Sequence, residues 1–349
     1  MTVLDVAVVG GGQAGLAIGH HLRARGLTFE IIDAGDSVGH VWRNRWDSLR
    51  LFTPAQYASL PGLAFPAAPD TYPTKDQVAD YLRSYAQTFD LPVRLNTRVA
   101  TLRPDLDRDG YLLTTDADTI RARTVVVATG PFQKPRVPPV SAGLAGHITQ
   151  LHSSQYRRPR QLPAGPVLVV GGGNSGFQIA SELSVERTVD LSIGTRNVTV
   201  PQRPLGRDIF WWQTITGLIT APAASRRGGW TRRGEGTVIG VSTRDLRRAG
   251  VTLRPRLART RHDQAVFADD TTLQVSTVVW ATGFRCDHTW IGVPDALDDH
   301  GHLRHLRGVT PAAGLYVLGL PWQHTAGSAL LGFVHHDAAY LADHITAHR

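Results

Sequence analysis

Residues 3–15 read VLDVAVVGGGQAG, and residues 167–176 read VLVVGGGNSG. Each stretch begins as an apolar strand, turns on three glycines and meets a fourth glycine three residues later. A dinucleotide diphosphate requires this order: a strand, a tight turn, then a helix N-terminus with unpaired N–H groups. In the first stretch Gly10 permits the turn, Gly12 lets the backbone approach a diphosphate, and Gly15 lets helix pack on strand; Gln13 and Ala14 open the helix. In the second, Gly171, Gly173 and Gly176 take the same places. Asn174 and Ser175 stand at that helix start, as neighbours of the diphosphate or nicotinamide or as an N-cap. Two such motifs predict two dinucleotides on one chain, and hence electron transfer between them.

The flanking residues make the two sites unequal. Asp33 ends the strand after the first motif, where a carboxylate accepts both ribose hydroxyls and repels a 2′-phosphate. That favours an unphosphorylated ADP group, as in FAD or NAD. The second site carries Thr195 and Arg196 instead. The guanidinium fork suits a 2′-phosphate, so NADPH is expected there, with NADH as the alternative.

The repeat VVVATG at 125–130 and VVWATG at 278–283 predicts one unit inserted in the other. The expected fold is α/β, with two nested Rossmann-like dinucleotide-binding domains in a three-layer FAD/NAD(P)-binding arrangement. The expected division is 1–150 for the first part of the FAD-binding domain, 151–279 for the NAD(P)H-binding domain and 280–349 for the return segment. Strands are expected at 3–9, 28–33, 93–95, 99–103, 111–115, 119–123, 124–130 and 315–318. Helices are expected near 14–25, 74–88, 175–184 and 328–346, the second capped by Thr74. Residues 34–71, with Pro54, Pro61, Pro66 and Pro69, and residues 201–235 read as irregular.

Composition narrows the function. The chain has 349 residues, a formal charge of +8 and 42% hydrophobic residues, with lysine only at Lys75 and Lys134. Arginine clusters such as Arg157, Arg158, Arg160 and Arg226, Arg227, Arg232, Arg233 read as solvated surface rather than a nucleic-acid face. No run of about 20 apolar residues suggests a membrane span, and the early strand argues against a signal peptide, so a cytoplasmic location is expected. The single cysteine, Cys286, rules out a redox cysteine pair within the chain, and the fifteen histidines lack zinc-ligand spacing, so no metal is expected.

At this point the chain resembles the class B flavin-dependent monooxygenases, the flavin-containing monooxygenase family, in a short bacterial form. The resemblance spans nearly the whole length. It rests on GGGQAG (10–15), GHVWRNRWDSLRLFTP (39–54), YPTKDQVADYLRSYA (72–86), VVVATGPFQKPRVP (125–138), GHITQLHSSQYRRP (146–159), GGGNSGFQIA (171–180), VVWATGFR (278–285) and the segment 319–345. It implies FAD on the first fingerprint and a nicotinamide cofactor on the second. NADPH would reduce FAD, O2 would give a C4a-(hydro)peroxyflavin, and one oxygen would pass to a soft nucleophile. Trp42 and Arg43 would lie by the ribityl and diphosphate region. A helix starting near Ser328 would aim its positive end at the flavin. Thr129, Gly130, Thr282 and Gly283 would lie where the two units join.

The chain also departs from the family pattern. His152, followed by Tyr156, is displaced by two residues from the family's linker histidine. Phe52 stands where many members have an asparagine that donates a hydrogen bond, so it favours wasteful peroxide release. Phe52, His152 and Arg43 are the candidate catalytic positions. Phe210, Trp211, Trp212 and Ile215 form either an apolar wall or domain core. The expected partners are O2 and a small apolar or aromatic substrate: a thioether, an indole-like aromatic, an amine or a ketone. Baeyer–Villiger chemistry on a ketone would need a nearby cation, such as Arg43, Arg50 or Arg207. A homodimer is compatible with this reading. The competing reading is an NAD(P)H-dependent flavin reductase or oxidase that releases peroxide.

Overall fold

The computed structural model describes residues 3–194, 198–232 and 236–348. Strand β1 (Leu4–Val9) runs through the first glycine turn into α1 (Gln13–Ala24) and back into β2 (Phe29–Ile32). A one-turn helix α2 (His40–Arg43), helix α3 (Lys75–Thr88) and strands β3 (Val93–Arg94), β4 (Val99–Pro104), β5 (Tyr111–Thr115) and β6 (Thr119–Val127) follow. The chain crosses over through β7 (Lys134–Pro135) to β8 (Thr149–His152), β9 (Val167–Val170), α4 (Asn174–Leu183) and β10 (Val189–Ser192). Next come β11 (Thr199–Val200), α5 (Ile209–Ile215), α6 (Arg226–Arg232), β12 (Val238–Ile239), α7 (Thr243–Arg248) and β13 (Thr252–Arg254). Strands β14 (Leu257–Arg261), β15 (Gln264–Phe267) and β16 (Thr272–Gln274) form an antiparallel sheet of three. The chain closes with β17 (Thr277–Trp280), β18 (Phe284–Arg285), β19 (Leu315–Val317) and α8 (His335–Ala347).

Two larger sheets carry the architecture. The first runs β3-β2-β1-β6-β5-β4, with β19 also on β6. The long β6 divides one edge: residues 119–122 pair antiparallel with β5, and residues 125–127 pair parallel with β19. The second sheet runs β13-β10-β9-β17-β8, and all its pairings are parallel. Such strands are covered on both faces, which is why β1, β9 and β17 read as continuous apolar runs. Leu16, Ile18 and Leu22 of α1 are fully buried, each contributing about 1.5–3 kcal/mol by its removal from water.

Helix α3 pins the proline-rich excursion before it. Thr74 and Gln77 form a capping box, Gln77 N–H donating to Thr74 Oγ1 at 3.2 Å and Thr74 N–H to Gln77 Oε1 at 2.9 Å. The buried Tyr81 hydroxyl donates to Leu63 O and accepts from Leu60 N–H, while Tyr85 donates to Pro61 O at 2.8 Å. Burial pushes the Tyr81 phenol up to about 12, so it stays a donor.

Four expectations change. The strands expected at 119–123 and 124–130 are one strand, since no turn residue interrupts them. The region 201–235 is not wholly irregular: Asp208 accepts from Phe210 N–H at 2.8 Å and so starts α5. The helix expected from 328 begins at His335. Residues 327–333 make tight three-residue turns instead, and Gly332 passes so close to the Tyr57 carbonyl that a side chain there would collide. The boundary drawn at 150/151 falls inside β8. Among the described residues no helix is long and apolar enough to cross a membrane.

Candidate functional site

Both glycine fingerprints fold alike. Gly10 (φ +113°) and Gly171 (φ +130°) adopt left-handed backbone that favours glycine. Each lies against the carbonyl of the residue just past the end of a central strand, Ala128 after β6 for Gly10 and Ala281 after β17 for Gly171. Gly15 and Gly176 in turn lie against the carbonyls of Gly10 and Gly171. Gly12 and Gly173 are the N-caps of α1 and α4 and face open space, with no side-chain cap on either helix. First-turn N–H groups are thereby left for a ligand. In both sheets the turn falls where connections leave a strand to opposite sides, β1 between β2 and β6, and β9 between β10 and β17. Open α/β sheets bind ligands at such crevices.

A cavity of about 450 Å³ opens on the first turn, lined by Gly10, Gly12, Gln13, Ala14, Asp33, Trp42, Thr129, Gly130, Gly319 and Ala329. Asp33 accepts from Gly11 N–H at 2.5 Å through Oδ2 and from Gly35 N–H at 2.7 Å through Oδ1. Its carboxylate therefore shapes the loop as well as facing the cavity. Trp42 Nε1 donates to Gln13 Oε1 at 3.2 Å, and Gln13 Nε2 donates to Ala329 O at 3.3 Å. This chain of bonds ties three distant segments together across the cavity.

Arg43 does not join them. Its guanidinium pairs with Asp80 at 2.8 Å and lies 3.8 Å from Asp76. Neighbouring residues of a helix point about 100° apart, so once Trp42 faces the cavity Arg43 faces α3. Ser328 also differs from expectation. It is buried, and its hydroxyl accepts from the N–H groups of His324 and Thr325. Ser328 braces a turn, and its neighbour Ala329 lines the cavity. Asn174 is not the N-cap of α4: its side chain accepts from Ile239 N–H at 3.0 Å and donates to Thr237 O at 3.4 Å. Ser175 follows it in the first turn of α4. Thr195 and Arg196 lie outside the described residues.

The two linkers between the sheets run side by side. Strand β7 pairs antiparallel with β18, and Thr282 Oγ1 donates to Arg136 O. Gly283 O accepts from Arg136 N–H at 2.9 Å. Gln133 bridges both linkers: Nε2 donates to Thr129 Oγ1 and Gly130 O, and Oε1 accepts from Asp287 N–H, each at 2.7 Å. Lys134 meets Asp287 at 2.6 Å and holds that carboxyl down to about 2. His152 belongs to this crossing. Nδ1 accepts from Ser154 N–H at 3.1 Å, so Nε2 carries the proton donated to Gly283 O at 2.9 Å. Burial, aided by Arg45, pulls its pKa down against the Gly283 bond, which favours the neutral ring. Gln133, Lys134 and Asp287 escaped sequence reasoning because their partners are far apart in the chain. The signal was there in the tetrads after the two repeats, PFQK and FRCD.

Phe52 stacks on buried Phe210 with ring centroids 6.0 Å apart. With Tyr57, Ile219, Leu330 and Phe333 they form a separate apolar cluster that joins the excursion, α5 and the C-terminal turns. Phe210 is thus core to that cluster, whereas Ile215 is exposed. Trp211 and Trp212 pack edge to face, Trp212 donating to Pro204 O at 3.0 Å. The Phe52 carbonyl accepts from Gln202 Nε2 at 2.9 Å, and the same nitrogen donates to buried Asp208, which also accepts from Tyr72. Among the described residues no group of three or more acidic, histidine or cysteine side chains could hold a metal.

Known proteins align with this geometry. The family model described as pyridine nucleotide-disulphide oxidoreductase matches residues 7–203. An uncharacterized CzcO-like oxidoreductase of Geobacillus kaustophilus is 45% identical over 347 residues, covering 99% of both chains. The indole-3-pyruvate monooxygenase YUCCA1 of Oryza sativa subsp. japonica is 29% identical, covering 94% of this chain and 89% of its own. A flavin-containing monooxygenase from Stenotrophomonas maltophilia superposes with a TM-score of 0.84 at 29% identity, covering 99% of both chains. The chain belongs to the pyridine nucleotide-disulphide oxidoreductase family and, within it, to the class B flavin-containing monooxygenases, FAD- and NAD(P)H-dependent oxidoreductases.

Proposed function

We propose that this protein couples NADPH oxidation to the O2-dependent oxygenation of small apolar or aromatic molecules, with thioether sulfoxidation as the leading reaction and amine or ketone oxidation beside it. The observation that carries the reading is the pair of matched glycine cradles whose linkers cross beside the first cavity, with an apolar cluster of Phe52, Tyr57, Phe210 and Phe333 close to the Ala329 turn.

The first cradle fits FAD: Gly12 is open, α1 is uncapped, and Asp33 faces the cavity. Gly10, Gly12, Gly15 and the first-turn N–H groups of Gln13 and Ala14 would hold its diphosphate. Asp33 would accept from the ribose, and Trp42, Thr129 and Gly130 would border it. Gly171, Gly173, Ser175 and Gly176 would hold the nicotinamide cofactor, and Thr195 and Arg196 would select its 2′-phosphate. When bound, FAD supplies the acceptor for the nicotinamide hydride and the site of O2 activation. The chain's part is to orient the cofactors, to keep water out with the Phe52 cluster, and to hold the crossing rigid through neutral His152.

The rice relative is named for indole-3-pyruvate, an aromatic 2-oxo acid, so such acids belong in the substrate panel. The competing reductase or oxidase reading rests on Phe52, whose ring offers no hydrogen-bond donor. The test is an electron balance on the purified flavoprotein with NADPH, O2 and a thioether, ketone, amine or 2-oxo acid. Oxygenated product approaching one per NADPH supports the proposal. Hydrogen peroxide equal to NADPH consumed, with every substrate class, overturns it in favour of the oxidase.

A further inference from the structure

Arg45 at the crossing carries a charge with no anion against it among the described residues. The Arg45 guanidinium lies 5.4 Å from the centroid of Phe132 and 5.4 Å from that of Phe284, on one side of a ring pair that packs edge to face with its centroids 5.4 Å apart. Phe132 belongs to the first linker and lines the cavity, and Phe284 begins β18 in the second. Aromatic rings attract the cation without using its N–H donors, which stay available to acceptors. Among the described residues the Arg45 guanidinium makes no hydrogen bond or ion pair. Asp47, two residues on, lies 3.5 Å from Arg158 instead. A second cation stands nearby: Arg157 disfavours the charge on Arg45, and it spends Nη1 on the uncharged carbonyls of Ser154 and Tyr156. The protein thus keeps a half-buried guanidinium beside another arginine, with no anion against it among the described residues.

Its position says which anion. All five strands of the second sheet are parallel, so their C-terminal ends share one edge. At that edge lie the glycine turn after β9, Gly283 after β17 and His152 at the end of β8. Phe284, one of the two rings beside Arg45, packs edge to face on His152 at 4.8 Å. Trp46, next to Arg45, is buried in the same cluster as Phe177 from the first turn of α4. Arg45 therefore reaches from the excursion of the first unit to the crossing at the edge of the second sheet, the edge on which the turn before α4 also lies.

We propose that Arg45 is a ligand of the pyridine-nucleotide diphosphate held on the second glycine turn, supplied across the crossing by the unit that holds FAD. This rests on the nicotinamide site described above. The N-terminus of α4 offers N–H groups and a partial positive charge; Arg45 adds a full charge and a fork of donors. Because the diphosphate is common to NADPH and NADH, Arg45 sets the strength of both and the preference for neither. A nucleotide bound this way also fastens the two units together.

The experiment uses FAD-loaded protein, Arg45→Gln and Arg45→Lys. Binding is read from the dissociation constants of NADP+, NAD+ and ADP-ribose, with 2′-AMP as a ligand lacking the diphosphate. The expected result for R45Q is a loss of about tenfold or more for all three diphosphate ligands, by the same factor, and a shallower dependence on salt. Binding of 2′-AMP, flavin content and Tm stay at wild-type values. R45K, which keeps the charge but not the fork, falls between. Constants within about twofold of wild type in R45Q overturn the proposal, as does weakened 2′-AMP binding in step with NADP+. So does a change confined to the KM of a carboxylate substrate, which would make Arg45 a substrate ligand. If R45Q loses flavin or Tm, the R45K constants decide by the same criterion. Wild-type protein that binds NADP+ but oxygenates nothing would remove the monooxygenase reading and leave Arg45 standing.

Discussion

Gly15 and Gly176 occupy equivalent places, and replacing each separates the two sites. A methyl group at either would run into a carbonyl of its own glycine turn. Gly15→Ala is expected to purify with most of its flavin missing. Gly176→Ala keeps its flavin, and its NADPH dissociation constant rises about tenfold, or ~1.4 kcal/mol. Flavin-to-protein ratios and titrations of the two variants check this. On the reading proposed above, Phe52 bears on the fate of the electrons. Phe52→Asn gives up the stack on Phe210, about 1 kcal/mol, and restores an amide donor. Peroxide released per NADPH should fall severalfold while Tm drops. An unchanged peroxide yield would show that Phe52 does not govern uncoupling. The glycine turns and the place of Asp33 beside the cavity were legible because the pattern is local: turn, strand end and helix start lie within some thirty residues. Arg43 was misplaced because sequence proximity to Trp42 hides the turn of the helix between them.

Elements were legible where one face repeats. Helix α3 follows from Val78, Tyr81, Leu82 and Tyr85 after a threonine cap. The last helix was extended too far back, because its apolar residues continue into segment 327–333, where Gly327 and Gly332 let the chain turn tightly instead. Helix α8 packs against α1, and that seam holds a titration. Burial holds His21 and His335 down to about 4, from the usual 6.5, and each has a histidine neighbour that adds to the effect. Above ~6.5 both rings are neutral whether folded or unfolded, so the pair adds no pH dependence. As pH falls from ~6.5 towards ~4 the unfolded chain takes up protons the fold refuses, and stability is lost. Tm should be level above pH ~6.5 and fall by several degrees towards pH ~4.5. His335→Gln should flatten that slope; a variant as steep as wild type would place the titration elsewhere.

At the scale of the molecule, the two nested units are joined by a crossing whose parts are distant in sequence. Gln133 and Asp287 bond across 154 residues, so no local pattern reveals them, though the repeated ATG segments mark where both linkers begin. Gln133 makes three hydrogen bonds there, one of them to the opposite linker, and Lys134 with Asp287 makes the ion pair. Because Asp287 is held at about 2, below the ordinary carboxylate value, its contribution is present above pH ~4 and is lost as pH falls through about 2. The pair is therefore intact throughout the neutral range. Removing Gln133 tests what the crossing does. If it only stabilises, Gln133→Ala costs about 1–3 kcal/mol, and the rate of flavin reduction at saturating NADPH is unchanged. If it sets the angle between the cradles, that rate falls about tenfold while the NADPH dissociation constant holds; the rate is taken per bound flavin, because Gln133 also lines the first cavity. The second outcome is expected, because hydride transfer depends steeply on the relative placement of two ligands held by different sheets. Anaerobic stopped-flow reduction, with Tm measured in parallel, separates the two.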